Sequence, residues 1–345
     1  MFTSSLTVPA GRRRGMAVAG AAAVIAGLGL SGLAAAPAPA AAAAAAGCHP
    51  YRLTDLGSLG GLYTFALGLN DRGDVAGASD TSNGETHAFL WRHGKMTELS
   101  APGSSFSSAL AVNSKDEVAG FAYLPGTRIG QAVLWRHGKM IRLGTLGGQS
   151  SVARAINDRG QVVGDSDLAS GESHGFLWQR GKMTDLGVLS ANDINNAGDI
   201  VGAASVPGGI AGYRWHHGKI AYLPQLPPAF SGEALYISHN GLIAGDSVAP
   251  PSFNNVAVVW RHGKLISLGT LSGAGFSEPR GINDRGQVIG FSGADNFLWQ
   301  HGTLTSLASC GITADSMVDR INDRGQIAGA VPGPGHNGFH AALWQ

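Results

Sequence analysis

One unit recurs along most of this chain, and a chain made of copies of a short unit can fold only as a stack, an array or a ring of that unit. The clearest copy runs from Ala153 and Arg154 through Ile156-Asn157-Asp158-Arg159-Gly160 to Val163 and Gly164, continues with His174-Gly175-Phe176-Leu177-Trp178, and ends at Lys182 to Gly187. Its turn residue Asn157 has counterparts at Asn70, Asn113, Asn195, Ser238, Asn283 and Asn322, 38 to 45 residues apart. All seven tryptophans fall at one position of the unit: Trp91, Trp135, Trp178, Trp215, Trp260, Trp299 and Trp344. An apolar pair closed by glycine also recurs, ending at Gly77, Gly120, Gly164, Gly202, Gly245, Gly290 and Gly329.

Each unit reads as four short strands. Ala153 to Ile156 is the first, and Asn157 to Gly160 is a turn whose glycine accepts positive φ; Gln161 to Ser166, Gly175 to Gln179 and Lys182 to Leu186 follow. The last two are joined by a tight turn at Arg180-Gly181, which elsewhere reads His93-Gly94, His137-Gly138, His217-Gly218 and His262-Gly263. Glycine supplies 53 of the 345 residues, roughly twice its usual share, which argues against helices and for strands joined by turns. It does not recur every third residue, so collagen is excluded. Four strands in about 43 residues is the size of one propeller blade.

The chain ends test this reading. The last copy stops at Trp344-Gln345 without a fourth strand, while Tyr51 to Gly57 matches Lys182 to Gly187 and lacks the three strands before it. Pairing Tyr51 to Leu56 beside Phe339 to Trp344 would complete the last blade and close a ring. An open solenoid would instead need polar caps. The expectation is an all-β, seven-bladed propeller over 51–345, closed by strand 51–56.

These motifs resemble the extracellular HAF repeats, named for His-Ala-Phe, which stands at His87-Ala88-Phe89-Leu90-Trp91. The resemblance covers essentially all of 51–345. The triplet is kept in part at His174-Gly175-Phe176 and His340-Ala341-Ala342, and Gln131-Ala132-Val133 and Val256-Ala257-Val258 lose its histidine, so it is no shared catalytic element. The resemblance implies secretion and a propeller-like repeat and carries no activity with it.

Residues 1–47 differ from the rest. Arg12, Arg13 and Arg14 precede an uncharged Ala/Gly-rich stretch from Met16 to Ala36, and steps such as Ala36-Pro37-Ala38 offer cleavage sites, the pattern of an export signal. A retained membrane anchor is the alternative, since about 20 apolar residues can span a bilayer. The formal net charge is +1 and charged residues are 14%, so a nucleic-acid binder relying on a basic field is not expected. The expected product is a secreted monomer with no membrane span once the signal is removed.

Of the twelve histidines, His93, His137, His217, His262 and His301 sit at equivalent outer turns too far apart to share an ion, so neither metal nor other cofactor is expected. The tryptophans suit packing between blades, with the second-strand glycine leaving them room; exposed indoles would instead make a multivalent sugar-binding ring. A unique site belongs where the copies differ. Three residues before the turn they read Leu67, Leu110, Arg154, Asn192, Leu235, Arg280 and Asp319, and adjacent departures are Asp193, Tyr236 and Arg320. Arg154, Asn192, Asp193, Arg280, Asp319 and Arg320 are therefore the candidate ligand-binding residues at the channel mouth; the alternative is a solvated channel of balanced charges.

No Gly-x-Ser-x-Gly elbow, His-Glu-x-x-His or phosphate loop occurs, and no catalytic residue can be assigned. Cys48 and Cys310 are candidates for a disulfide, although their strands place them toward opposite faces; lipid attachment at Cys48 is the alternative. The preferred function is a secreted non-enzymatic binding or scaffold propeller for an unknown extracellular ligand or protein. The alternative is an extracellular propeller hydrolase or lyase acting on a polymer such as a polysaccharide, with Asp193 or Asp319 as carboxylates, and convergent carboxylates in the channel would favour it.

Overall fold

Runs such as Val162-Val163 and Ile200-Val201 are buried on both faces, because each sheet is covered on both sides by its neighbours. The computed structural model describes residues 50–99, 101–227, 231–249 and 254–345, all within one compact unit. The expected export segment 1–47 and Cys48 lie outside the described residues. Among the described residues there is no α-helix, only two short 3-10 turns at Leu307–Cys310 and Pro334–His336, and no helix long and apolar enough to cross a membrane.

The chain is all-β. Three sheets have four antiparallel strands, and two have eight. Each eight-stranded sheet consists of two four-stranded groups joined by a single parallel bridge, Tyr63 to Phe339 in one and Ile210 to Ser231 in the other. In the copy around Asn157 the strands are Gly147–Ile156, Val162–Leu168, Ser173–Gln179 and Lys182–Asp185, here termed inner, second, third and outer. The inner strand begins six residues earlier than its apolar pattern suggests, because Gly147 already pairs with Leu168. The outer strands are exposed and begin with lysine in most groups, which blunts a free sheet edge.

Phe339–Trp344 carries Leu53–Asp55 as its outer strand, with Leu53 opposite Trp344 and Asp55 opposite Ala342. Arg52 and Gln345 exchange two backbone hydrogen bonds beyond it, Leu56 N–H donates to Ala341 O, and Asp55 accepts from His340 at 2.9 Å. Equivalent pairs join His87 to Glu98 and His174 to Asp185, so the histidine of the repeat triplet anchors the acidic residue of the outer strand. Tyr51 N–H donates to Cys310 O at 2.9 Å. Cys310 is buried and not a free thiol, whereas Cys48 lies outside the described residues.

Every tryptophan packs against the preceding four-stranded group. Trp178 joins Ala119, Ala132 and Leu134; Trp344 joins Ile289 and Leu298; half-buried Trp91 meets Ala328 and Leu343. None is among the exposed large apolar side chains, so the packing role holds and a ring of free indole platforms does not form. The outer turns also behave as their residues suggest. Arg180 has φ of 51° and Gly181 of 82°, and His93, His137, His217, His262 and His301 lie at 47–51°, each followed by a positive-φ glycine, as the twist-matched two-residue hairpin turn requires.

One expectation about glycine is corrected. A Cβ on Gly77, Gly120, Gly164, Gly202, Gly245, Gly290 or Gly329 would overlap first with an inner-strand carbonyl oxygen, Val152 O in the case of Gly164. Only at Gly245 is a tryptophan among the nearest atoms. The cause is a register shift in every inner strand. One extra residue sits between Ala153 and Ala155, and likewise in the other six, which turns the preceding carbonyl into the space above the glycine.

Buried turn asparagines tie the copies together. Asn157 Oδ1 accepts the Arg159 and Gln161 N–H groups, while its Nδ2 donates to Gln161 Oε1 at 2.8 Å and to Asn195 O, in the next copy, at 3.0 Å. Asn70, Asn113, Asn195 and Asn283 likewise donate to the following copy, and Asn322 donates to Asn70 O at 2.9 Å. Ser238 makes no such bond; Asn240 spans that junction by donating to Asp284 O.

Candidate functional site

The extra residues of the bulged inner strands are Leu67, Leu110, Arg154, Asn192, Leu235, Arg280 and Asp319. The copies differ there, reading leucine in three, arginine in two, and asparagine and aspartate in one each. A bulge re-aims one side chain without breaking the sheet, so a regular scaffold can present irregular chemistry there. The ends of all these inner strands and their turns line one cavity of about 170 Å³. Its lining is unequal among the inner strands: four of them supply Arg154, Asn192, Asp193, Tyr236 and Arg320, the other three supply Gly68, Leu69, Ala111, Val112, Gly281 and Ile282, and the turns add Asn70, Asp71, Asn113 and Asn283.

Four of the six sequence candidates therefore line the cavity, and Arg280 and Asp319 stand outside that lining. Arg154 pairs through Nε with buried Asp165 Oδ2 at 2.5 Å, and this charge raises its pKa. Asn192 and Asp193 brace the neighbouring inner strand: Asn192 Nδ2 donates to Ala234 O at 3.0 Å, and Asp193 Oδ2 accepts the Ile237 N–H at 2.8 Å. Burial nevertheless pushes the Asp193 carboxyl up to about 6. Arg320 lies over the Tyr236 ring at 5.1 Å and donates to Asp319 O at 2.8 Å. Arg280 stacks on Phe291 at 4.8 Å and sits 3.5 Å from Glu278. Burial raises the Asp319 carboxyl, against the pull of Arg280 and Arg320.

The residue after each turn asparagine forms a second belt. Asp158 Oδ1 accepts Ser114 N–H, Asp284 Oδ1 accepts Asn240 N–H, Asp323 Oδ1 accepts Asp284 N–H, and Asp71 Oδ1 accepts Asp323 N–H, at 2.7–2.9 Å. One oxygen of each carboxylate is thus fixed by the neighbouring copy. His239 holds this position in its own copy, and its Nε2 stands 3.6 Å from Asp71 Oδ2 of the first copy. Asp71 raises the imidazole to about 9, against a burial effect that would lower it, and Asp284 and Asp323 act with Asp71. Asp71 in turn is held below the usual carboxylate range, first by His239. Reading only the inner strand misses His239, although it is the one imidazole at its repeat position, the same kind of departure that singles out Arg154.

A further carboxylate pair stands outside the cavity lining. Asp246 is 9% exposed; its Oδ1 accepts the Glu233 N–H at 3.2 Å and its Oδ2 accepts Asn255 Nδ2 at 3.1 Å. Burial, then the charges of Glu233 and Glu278, push it up to about 7, and burial raises Glu233 as well, with Arg154 opposing. A carboxyl raised in the fold stabilises it fully below the unfolded value, near pH 4, and that contribution is lost as pH climbs through about 7. Melting temperature should accordingly fall between pH 5 and pH 8. Asp246→Asn should flatten that fall and be the more stable form at pH 8, by on the order of 1 kcal/mol. A parallel pH profile for the variant would show that this carboxyl is ionised throughout the range.

Four-stranded antiparallel groups with their inner strands around one polar cavity define the class of this protein: it is a β-propeller. Among solved structures the chain is similar to oligogalacturonate lyase from Vibrio parahaemolyticus, at 7% identity and a TM-score of 0.59 over 85% of this chain and 93% of that one. It is also similar to the β-propeller domain of the Trilobed protease from Pyrococcus furiosus, at 7% identity and a TM-score of 0.55, over 82% and 93%. TolB from Acinetobacter baumannii is matched at 12% identity and a TM-score of 0.48 over 80% of this chain, which spans only 64% of TolB. These likenesses concern the fold. No protein-family model and no curated protein matches the chain.

Proposed function

We propose that this chain is a secreted, non-enzymatic binding propeller of the HAF-repeat kind, with seven blades closed by residues 51–56 and a ligand that enters the central cavity. The observation that carries the binding reading is the unequal lining: a repeated scaffold brings Arg154, Asn192, Tyr236 and Arg320, from four different copies, into one cavity, with Arg320 over the Tyr236 ring. Closure is supported by the pairing of Leu53–Asp55 with Ala342 to Trp344, and by the asparagine that links the last copy to the first. A Cys48–Cys310 disulfide belongs to the same reading. Tyr51 lies beside Cys310, and three residues of extended chain reach about 10 Å. Non-reducing mass measurement should show the intact chain 2 Da below its reduced mass, whereas a lipid adduct on Cys48 would refute the pairing.

The test of binding is a glycan and polymer array probed with the mature protein and with Arg320→Ala. Arg320 is the better target than Arg154, whose loss would strand the buried Asp165 carboxylate. Any hit should weaken at least about tenfold in the variant, while melting temperature holds. Equal binding by both proteins would remove the cavity from consideration. A second reading, an extracellular polymer hydrolase or lyase, is favoured by one observation: Asp193 lines the cavity with its carboxyl pushed up to about 6, as a general acid requires. It demands product release from a bound polymer, abolished in Asp193→Asn.

A further inference from the structure

The mouth of the cavity holds a set of donors that the ligand-binding reading does not use. Asp71, His239 and Asp323 each offer one ligand atom, and the three atoms lie within 4.8 Å of one another. They come from three different copies. Asp71 and Asp323 follow the turn asparagines of the first and last, whereas His239 belongs to another and has Asp284 within electrostatic reach as well. Nothing in the packing requires that placement, since His239 is exposed.

Two details separate this group from an ordinary surface ion pair. His239 Nε2 and Asp71 Oδ2 stand 3.6 Å apart, too far for a good hydrogen bond but close to the spacing of two donors that each sit about 2.1 Å from one ion. Each carboxylate is also already oriented. Asp71 Oδ1 accepts the Asp323 N–H and Asp323 Oδ1 accepts the Asp284 N–H, which leaves Oδ2 of Asp323 without a hydrogen bond among the described residues. Backbone amides that fix the ligating carboxylates are the kind of outer support that metal sites use. The imidazole adds the nitrogen donor that a purely acidic patch lacks, and it stands among carboxylates from several copies, with Asp158 and Asp193 also within electrostatic reach.

We infer that Asp71, His239 and Asp323 form a binding site for one divalent transition-metal cation, of the zinc class, at the mouth of the propeller cavity. One nitrogen and two carboxylate oxygens match the donor set of a site with three protein ligands, leaving an open position toward the cavity. An ion there would offset the mutual repulsion of Asp71, Asp284 and Asp323 and would join the first and last copies to the one bearing His239. The carboxylates of Asp71, Asp284 and Asp323 attract a doubly charged ion more strongly than a singly charged one, with Arg324 beside Asp71 as the opposing charge. The inference goes beyond the proposed binding function and stands whether or not a larger ligand enters the cavity.

The test is calorimetric titration of zinc chloride into the chelator-treated mature chain, beside its His239→Ala, Asp323→Asn and His217→Ala variants. One ion per chain is expected for the parent, with affinity reduced at least about a hundredfold in His239→Ala and at least about tenfold in Asp323→Asn. His217 meets the His216 ring edge to face at 4.3 Å in an outer turn and is the obvious adventitious zinc binder, so His217→Ala should leave the site unchanged. Because His239 also pairs with Asp71, the melting temperature of each protein is compared with its own metal-free value. Added zinc should raise the melting temperature of the parent and not that of His239→Ala. No saturable binding, or binding that survives His239→Ala and disappears in His217→Ala, would overturn the assignment.

Discussion

Gly164→Ala is expected to unfold the propeller or to lower its stability by about 3 kcal/mol or more, a large cost for a single methyl group. Gly164 does not have positive φ, so alanine meets no backbone penalty there, and such a change would ordinarily help by restricting the unfolded chain. The cost comes from space alone. The bulge at Arg154 points Val152 O into the volume the methyl group needs, and neither that carbonyl nor Ala153 can withdraw without breaking the pairing of inner and second strands. Gly181→Ala provides the contrast. Its φ is 82° with nothing near a new Cβ, so only the conformational penalty of about 1 kcal/mol applies. Urea unfolding of both variants decides the matter: if Gly164→Ala were no worse than Gly181→Ala, the bulge would not be the reason for the glycine.

Removal of residues 50–57 should be comparably damaging. That segment supplies the outer strand beside Phe339–Trp344 and places Leu56, 6% exposed, in a cluster with Ala66, Val75, Phe89 and Leu343. Without it, the edge from Phe339 to Trp344 would stand open to other chains. A chain beginning at residue 58, compared under reducing conditions with one beginning at residue 50, should melt lower by about 10 °C or more and aggregate on warming. A synthetic peptide of residues 50–57 should restore part of the loss. Melting points within about 2 °C of each other would mean that the strand contributes little to stability.

The repeat, its four strands and the displaced strand at Tyr51 were legible because each is written as spacing, and spacing survives folding unchanged. So was the placement of Arg154 and Asn192 at the cavity, since the inner strand of each unit is the one that faces the centre of a ring. The bulge was not legible. Arg154 and Leu67 occupy it equally, so no residue type marks it, and the invariant glycine across from it carries the trace of its carbonyl instead. The Asp71, His239 and Asp323 cluster was hidden for a different reason. Its members stand 84 and 168 residues apart, and only the placement of their turns around one cavity brings them together.

Apart from the closing bond of Asn322 to Asn70, the turn-asparagine bonds between copies run one way: each amide nitrogen donates to the copy that follows it in the chain. A chain emerging from its N-terminus therefore carries, at every stage, a buried donor awaiting residues not yet made. Ser238 is the exception. It asks nothing of the copy after it, and a chain that has reached it has met every such demand, leaving only the carbonyl of Asn70 without its donor, the milder of the two deficits. The connection after Lys264–Ser267, the outer strand of the copy that bears Ser238, is thus the natural place to divide the molecule into two fragments that fold separately and then assemble, or to move its ends by circular permutation.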